Sequence, residues 1–487
     1  MKSKKVNQLP SGNLSRRNFV KSASVAAAAF TIVPRFVLGG KNFNAPSDTL
    51  YIASIGAGGK GGSDMSEMVK IMPGETKSKA KIIAMADVDD RRAAGSRTKF
   101  PDAKYYKDFR VMLDKEKGFD ACTISTPDHT HAVAAMAAMM RGKHVYVQKP
   151  LTHDIYEARM LTEAARKYKV VTQMGNQGGS GDDVRKMKEW YDAGLIGDVT
   201  KVTGWTNRPV WPQGIPAPTG DFPVPAELDW DLWLGPAQAI NYNPAYVPQS
   251  WRGWCNFGTG ALGDMACHIL DPVFRILPID YPTEVEASVG ALYKGYFDQS
   301  FNDDSYPTSS MIHFKYPGKN GKPDISLTWM DGGNLPARPN ELLPEEELGN
   351  WDGGVLFEGT KGKIMADCYG ENPRLLPTRL MKEISLPKET LPRVPEGHYL
   401  QWVNACLKGF GKATTSSNFD FAGPFVESVL MGNLAIRTYN YRSTGKDGKM
   451  TLPGRKKLLW DAKNMKITNF DEANQFVKRE YRSGWSL

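Results

Sequence analysis

Five near-continuous apolar runs mark the first third of the chain: "LYIASIG" from Leu50, "KIIAMAD" from Lys81, "FDACTIST" from Phe119, "KHVYVQKP" from Lys143 and "VVTQMGN" from Val170. Runs that do not alternate with polar residues suit strands buried on both faces of a parallel sheet. Helix-like spacing fills the gaps, as in "MSEMVKIM", "HTHAVAAMAAMMRG" and "IYEARMLTEAARKYK". This alternation, from Thr49 to about Asn176, predicts an α/β unit with a doubly wound parallel sheet. From Val199 the texture becomes strand-rich with many Trp and Pro: "VTKVTGWTNRPVW", "TEVEASVGALY", "SSMIHFKYP" and "DISLTWMDGG". These segments predict a C-terminal α+β domain on a large, mostly antiparallel open sheet, interrupted by one helix, "LGDMACHILDPVFRIL". The polar stretch "ARPNELLPEEELGNWDGG" reads as a surface loop, and no internal repeat is evident.

Charge changes the picture mainly at the N-terminus. The chain of 487 residues carries a formal +9, but residues 1–40 hold seven basic side chains and no acid, which leaves the remainder near neutral at +2. That removes the electrostatic case for a nucleic-acid partner. Within the basic segment, "SRRNFVK" precedes "SVAAAAFTIVP", an apolar stretch of 11 residues. A bilayer span needs about 20, so the pattern reads as a removable twin-arginine export signal and predicts a periplasmic protein. No later run is apolar enough to insert stably in a membrane. The five cysteines, at 122, 255, 267, 368 and 406, contain no C-x-x-C pair and no zinc spacing. They are expected as buried hydrophobes with at least one free thiol, Cys122 foremost, and no metal site is expected.

The candidate chemistry begins after the first strand. Gly56-Ala57-Gly58-Gly59-Lys60-Gly61 fits G-x-G-x-x-G, follows a strand, precedes a helix, and is followed by Asp87 at the end of the next strand. Gly56 permits a tight turn, Gly58 a close approach of backbone to a pyrophosphate, and Gly61 close helix packing. Asp87 suits ribose hydroxyls and repels a 2′-phosphate, so NAD is expected; NADP stays possible because Arg91 and Arg92 stand nearby. Ligands of such sheets bind at the carboxyl ends of the strands. This adds Thr126, Pro127, Asp128 and His131 of "STPDHTH", Gln148 and Lys149 of "VQKP", and Asn176 as cofactor-side residues. Further on, Asp264 and His268 are i and i+4 on the predicted helix, a turn apart on one face. A carboxylate there would orient the imidazole and raise its basicity for removing a proton from a sugar hydroxyl. Asp271 is expected to cap or pair at the same helix. Trp205, Arg208, Trp211, Arg252 and Trp254, from "WTNRPVW" and "WRGW", are candidate sugar contacts, since indole faces stack on sugar rings and Arg forks onto hydroxyls.

Taken in order, "GAGGKG", "AMADVD", "STPDHTHA", "VYVQKP", "VTQMGNQG" and "GALGDMACHILD" resemble the Gfo/Idh/MocA oxidoreductases from about Leu50 to about Arg437. The resemblance implies a Rossmann domain over 41–176 and a substrate-binding domain over 177–445, between a leader at 1–40 and a C-terminal extension at 446–487. It also implies catalytic roles for Lys149, Asp264 and His268 and a homo-oligomer formed through the C-terminal sheet. The chain departs from the family pattern at Gln148, where the motif has Glu, and at Thr259, where it has Gly. It is similar as well to glycoside hydrolase family 109 in the "TQMGNQG", "LDWDLWLGPA" and "GALGD" stretches. Two readings stand. In one, a sugar or glycoside hydroxyl is oxidised with a tightly bound cofactor recycled in place. In the other, an NAD-dependent glycosidase works by transient C3 oxidation and elimination.

Overall fold

The computed structural model describes residues 48–487, so the leader expected at 1–40 lies outside the described residues. Leu50 onward is one compact unit. It starts with strands β1 (Leu50–Ile55), β2 (Ala80–Ala86), β3 (Lys104–Tyr106), β4 (Ala121–Ile124), β5 (His144–Val147) and β6 (Thr172–Met174). They form a parallel sheet in the order β3-β2-β1-β4-β5-β6, the doubly wound arrangement. The strand that sequence patterning missed is β3, whose "KYY" lies at the sheet edge and is only partly buried. Helices α1 (Lys60–Met68), α2 (Asp90–Lys99), α3 (Phe109–Lys115), α4 (Asp128–Met140) and α5 (Ile155–Tyr168) alternate with the strands. Local chemistry sets their starts. Asp89 caps α2, and Asp154 with Glu157 closes a capping box on α5.

Helix α6 (Asp182–Asp192) leads into β7 (Val199–Thr206), the short α7 (Trp230–Leu234), α8 (Gly260–Ile269) and α9 (Asp271–Ile276). Strands β8 (Glu284–Val289), β11 (Ser310–Tyr316), β12 (Ile325–Met330), β13 (Gly353–Gly359), β14 (Lys363–Asp367) and β15 (Arg374–Leu376) follow, with β9 (Leu292–Gly295) and β10 (Asp298–Ser300) as a separate hairpin. Later come α10 (Leu380–Glu383), α11 (Gly397–Lys408), α12 (Phe419–Tyr439), the small β16 (Ser443–Thr444) and β17 (Met450–Thr451) pair, β18 (Leu458–Asp461) and β19 (Lys466–Ile467). The nine-stranded sheet runs β15-β14-β13-β7-β12-β11-β8-β18-β19, antiparallel except where β7 meets β12.

Two elements cross the domain boundaries expected from sequence. Leu400, Trp402, Val403 and Ala405 of α11 share a core with Leu50, Ile52 and Met65, so a C-terminal helix covers one face of the parallel sheet. Helix α12 is buried along most of its length and packs on α5, α8 and β8, which makes one core continuous across both sheets. The segment 446–487 is an integral part of the fold, because β18 pairs with β8 and extends the large sheet.

The stretch read as a surface loop is partly inside. Leu342 and Leu348 pack with Trp205, Leu356, Met365 and Leu376 on the sheet face away from α8. Other parts of that face carry ion pairs, Lys201 with Glu358 at 2.8 Å and Lys457 with Glu284 at 2.7 Å. All five cysteines are buried and free.

Candidate active site

A cavity of about 720 Å³ opens at the carboxyl ends of β1, β2, β4 and β5. One wall is the glycine loop. Gly56 has φ +81°, which a side chain would strain, and a Cβ on Gly61 would meet the Gly56 carbonyl oxygen at 1.8 Å. Gly58 carries a further demand besides the expected approach to a pyrophosphate: a Cβ there would strike the Arg92 Cβ of α2 at 2.7 Å. Gly59 caps α1 without a side-chain hydrogen bond, which leaves the helix start to an anion, as a pyrophosphate cradle requires. Asp87 accepts from the Ala57 and Gly58 amides, both at 2.9 Å, and from Asp89 N–H at 3.0 Å. Burial pushes its carboxyl upward against those hydrogen bonds. Arg91 is spent on Asp89, whereas Arg92 lines the cavity. These residues fit a dinucleotide.

The opposite wall carries the reactive groups. The Lys149 ammonium donates to the Asp264 carbonyl at 2.7 Å and to its carboxylate at 2.8 Å, and Arg252 Nε reaches the same carboxylate at 3.3 Å. Burial disfavours the Asp264 charge, but Lys149 and Arg252 outweigh it and hold this carboxyl below the usual carboxylate range. The expected Asp264–His268 hydrogen bond is not made; Asp264 Oδ1 instead serves both cations. His268 Nδ1 is buried without a partner, and its ring packs 4.5 Å from Tyr369. Burial, reinforced by the Lys149 charge, pushes the imidazole pKa well down, so His268 stands neutral. Asp128 lines the same cavity and accepts from Thr259 Oγ1 at 2.7 Å; burial raises its carboxyl to about 7. Thr259, the departure from the family glycine, thus has a specific partner.

Other expected residues are brought in unequally. Thr126, Pro127, Gln148, Lys60 and Arg252 line the cavity. His131 is held between the carbonyls of Pro150 and Thr126, at 2.8 and 2.9 Å, and ties the two strand-end loops together from beneath. Asn176 is turned to Asp271, which is itself paired with Arg275. Trp205 is a core residue and Arg208 pairs with Asp352 at 2.8 Å, and neither of these expected sugar contacts lines the cavity. Trp254 is likewise in an aromatic core. Trp211 stands beside Arg252, whose guanidinium lies 4.3 Å over Trp251. Sequence reasoning missed Trp251, Tyr369, Tyr399 and Asp64. Asp64 had a local signal in its i,i+4 spacing from Lys60, and Trp251 in its place at the head of "WRGW"; Tyr369 and Tyr399 had none. Among the described residues no group of His, Cys, Asp or Glu could hold a metal ion, and no helix is long and apolar enough to cross a membrane.

Comparison with known proteins agrees with this geometry. Residues 50–176 match the oxidoreductase family model for the NAD-binding Rossmann fold, and residues 180–316 match the C-terminal alpha/beta domain of the same Gfo/Idh/MocA family, together more than half the chain. The chain belongs to this family. Its N-terminal Rossmann domain is an NAD-binding domain.

Levoglucosan dehydrogenase of Pseudarthrobacter phenanthrenivorans is 26% identical over 39% of this chain and 40% of its own length. The NAD(+)-dependent scyllo-inositol 2-dehydrogenase of Bacillus subtilis is 29% identical over 34% of this chain and 45% of its own. The chain thus aligns with less than half the length of these curated relatives. Among solved structures, levoglucosan dehydrogenase with NADH and levoglucosan has a TM-score of 0.53 at 18% identity, covering 80% of this chain and 98% of that one. The WlbA dehydrogenase from Bordetella pertussis, in complex with NADH and UDP-GlcNAcA, has a TM-score of 0.54 at 15% identity, covering 80% and 97%. At these identities the likeness establishes the shared fold.

Proposed function

We propose that this family member is an NAD-dependent oxidoreductase acting on a hydroxyl of a sugar or glycoside, with the cofactor retained and re-oxidised in place by hydride transfer to the carbonyl of a second sugar. The observation that carries the reading is the Lys149 ammonium fixed by two hydrogen bonds to Asp264 beside neutral His268, in the same cavity as the glycine loop. An ammonium has three donors; with two engaged, the third can point at a substrate oxygen and stabilise charge developing there. His268 is in the form that can accept the hydroxyl proton. NAD, when bound, supplies the two-electron acceptor. The relatives named for levoglucosan and inositol dehydrogenation support a polyol or sugar as the substrate class.

Retention of the cofactor is supported by what surrounds the cleft. Trp230, Trp233, Tyr246, Trp251 and Phe257 form an aromatic lobe whose base is pinned to the loop after β2 by Asp90 N–H to Glu227 O and Asp229 N–H to Val88 O. The C-terminal segment then clasps the lobe. Arg482 bonds Asp231 and the Gly235 and Pro236 carbonyls, Trp485 packs its ring tilted 6.1 Å from that of Phe109 of α3, and Arg479 bonds Glu157 of α5. A twin-arginine leader fits this reading, because a protein exported folded to the periplasm can carry its nucleotide with it and has no outside pool for exchange.

One observation favours the second reading, a redox-neutral glycosidase. With C3 transiently oxidised, elimination across C1 and C2 requires a proton to be removed from C2 and another delivered to the departing aglycone oxygen, and Asp128 supplies a second titratable group on the cavity wall besides His268. Incubation with a panel of glycosides, with a carbonyl sugar present as hydride acceptor, separates the two. Accumulation of a keto-sugar supports the oxidoreductase, release of free aglycone supports the glycosidase, and absence of both across the panel sinks the carbohydrate reading.

A further inference from the structure

Beneath the cavity lies a carboxylate that the proposed chemistry does not use. Asp64 is fully buried on α1, one turn beyond the glycine loop. Its Oδ1 accepts from the Lys60 ammonium at 2.7 Å and the Tyr399 hydroxyl at 2.9 Å. Its Oδ2 accepts from the Ser125 hydroxyl and the Gln148 amide, both at 2.8 Å. The four donors come from the start of α1, the C-terminal helix α11, the turn after β4 and the end of β5. All four residues also line the cavity. One buried charge therefore gathers the segments that hold Lys60 at the glycine loop and Lys149 at the end of β5.

The charge also dictates what may stand at position 148. Ser125 and Gln148 both donate to the same oxygen, and the Gln148 amide is confined, since a Cβ on Gly175 would lie 2.7 Å from it. A carboxylate at 148 would face Asp64 at hydrogen-bond distance, and two buried carboxylates that close cannot both ionise. We propose that Asp64 is the positioning residue for the cofactor-side wall, and that Gln148 is the neutral donor its charge requires. Acid at 64 and amide at 148 then form a pair whose polarity can be exchanged. The proposal rests on the NAD-binding domain and is independent of the sugar chemistry.

The test is a charge exchange in the full-length protein, read by NADH titration of nucleotide-stripped protein, with thermal melts to confirm folding. Q148E is expected to weaken NADH binding about tenfold or more, since it adds a second carboxylate, and D64N by a similar factor, since it leaves two donors facing an amide. The D64N/Q148E double variant restores complementary polarity and is expected to return within about threefold of the parent. Q148L removes the donor without adding charge and should cost less than Q148E. If a single variant does not fold, a folded double variant that binds NADH is the same rescue. The proposal is overturned if the double variant is no better than the worse single one, if Q148E binds like the parent, or if Q148L and Q148E lose equally. A parent protein with no NADH affinity at all would instead break the assignment of the domain.

Discussion

The two walls of the cavity are built in opposite ways. The glycine-loop wall comes from consecutive residues, 56–61, with Asp87 closing onto their amides, and its function lies in backbone geometry. The facing wall is gathered from distant places: Lys149 after β5, Arg252 and Trp251 from the aromatic lobe, His268 on α8 and Tyr369 after β14. The contiguous wall serves a constant ligand. The gathered wall depends on long-range packing at each residue, as where Tyr369, with φ +66°, packs on His268.

The comparison is broken most sharply by changing chemistry on the gathered wall alone. His268→Ala and Lys149→Ala should each cut turnover by about 10²–10⁴ while leaving bound nicotinamide in place, with the melting temperature unchanged for His268→Ala and lowered for Lys149→Ala, which strips a cation from buried Asp264. Rapid mixing with substrate should show no reduction of the bound cofactor in the His268 variant, and a normal rate would remove His268 from the account.

The clasp comes next. Arg482→Ala, or deletion of residues 478–487, should speed NAD release by roughly 10–100-fold, the weight of a lost charged hydrogen-bond set. Stopped-flow displacement measures this, and an unchanged release rate would detach the clasp from retention.

A third effect is in stability. Burial raises the Asp128 carboxyl to about 7 in the folded protein, against about 3.9 in the unfolded chain. A raised folded value favours the protonated acid, so its contribution is present below about pH 4 and is lost as pH rises to about 7. Relative to Asp128→Asn, the parent should lose up to about 1.4 kcal/mol per pH unit across that window in denaturant melts. Parallel curves would contradict the assignment. The smallest effect belongs to the cation over the indole. Trp251→Ala should raise KM by about two- to fivefold, and more than Trp211→Ala does, with kcat little altered.

How much of this was legible follows the same division. The parallel sheet, the glycine loop and the second mixed sheet were readable because apolar runs and motif spacing are local properties. Lys149 and His268 could be named, but not their partners: the helical spacing suggested an Asp264–His268 pair, whereas Lys149, 115 residues away, takes the carboxylate. Trp205 and Arg208 looked like sugar contacts by residue type and are consumed by a core and by Asp352. Tyr399 reaches the glycine loop from α11, and nothing in the sequence around it marks that contact.

The central claim is that the nucleotide stays in this cleft through the catalytic cycle. The direct measurement is to purify the protein without added cofactor, pass it through gel filtration, denature it and quantify released nicotinamide. The account expects close to one NAD or NADH per chain, with the ratio of the two forms shifting when substrate is added before denaturation. Protein that releases none, and turns over only when NAD is supplied in solution, would contradict it.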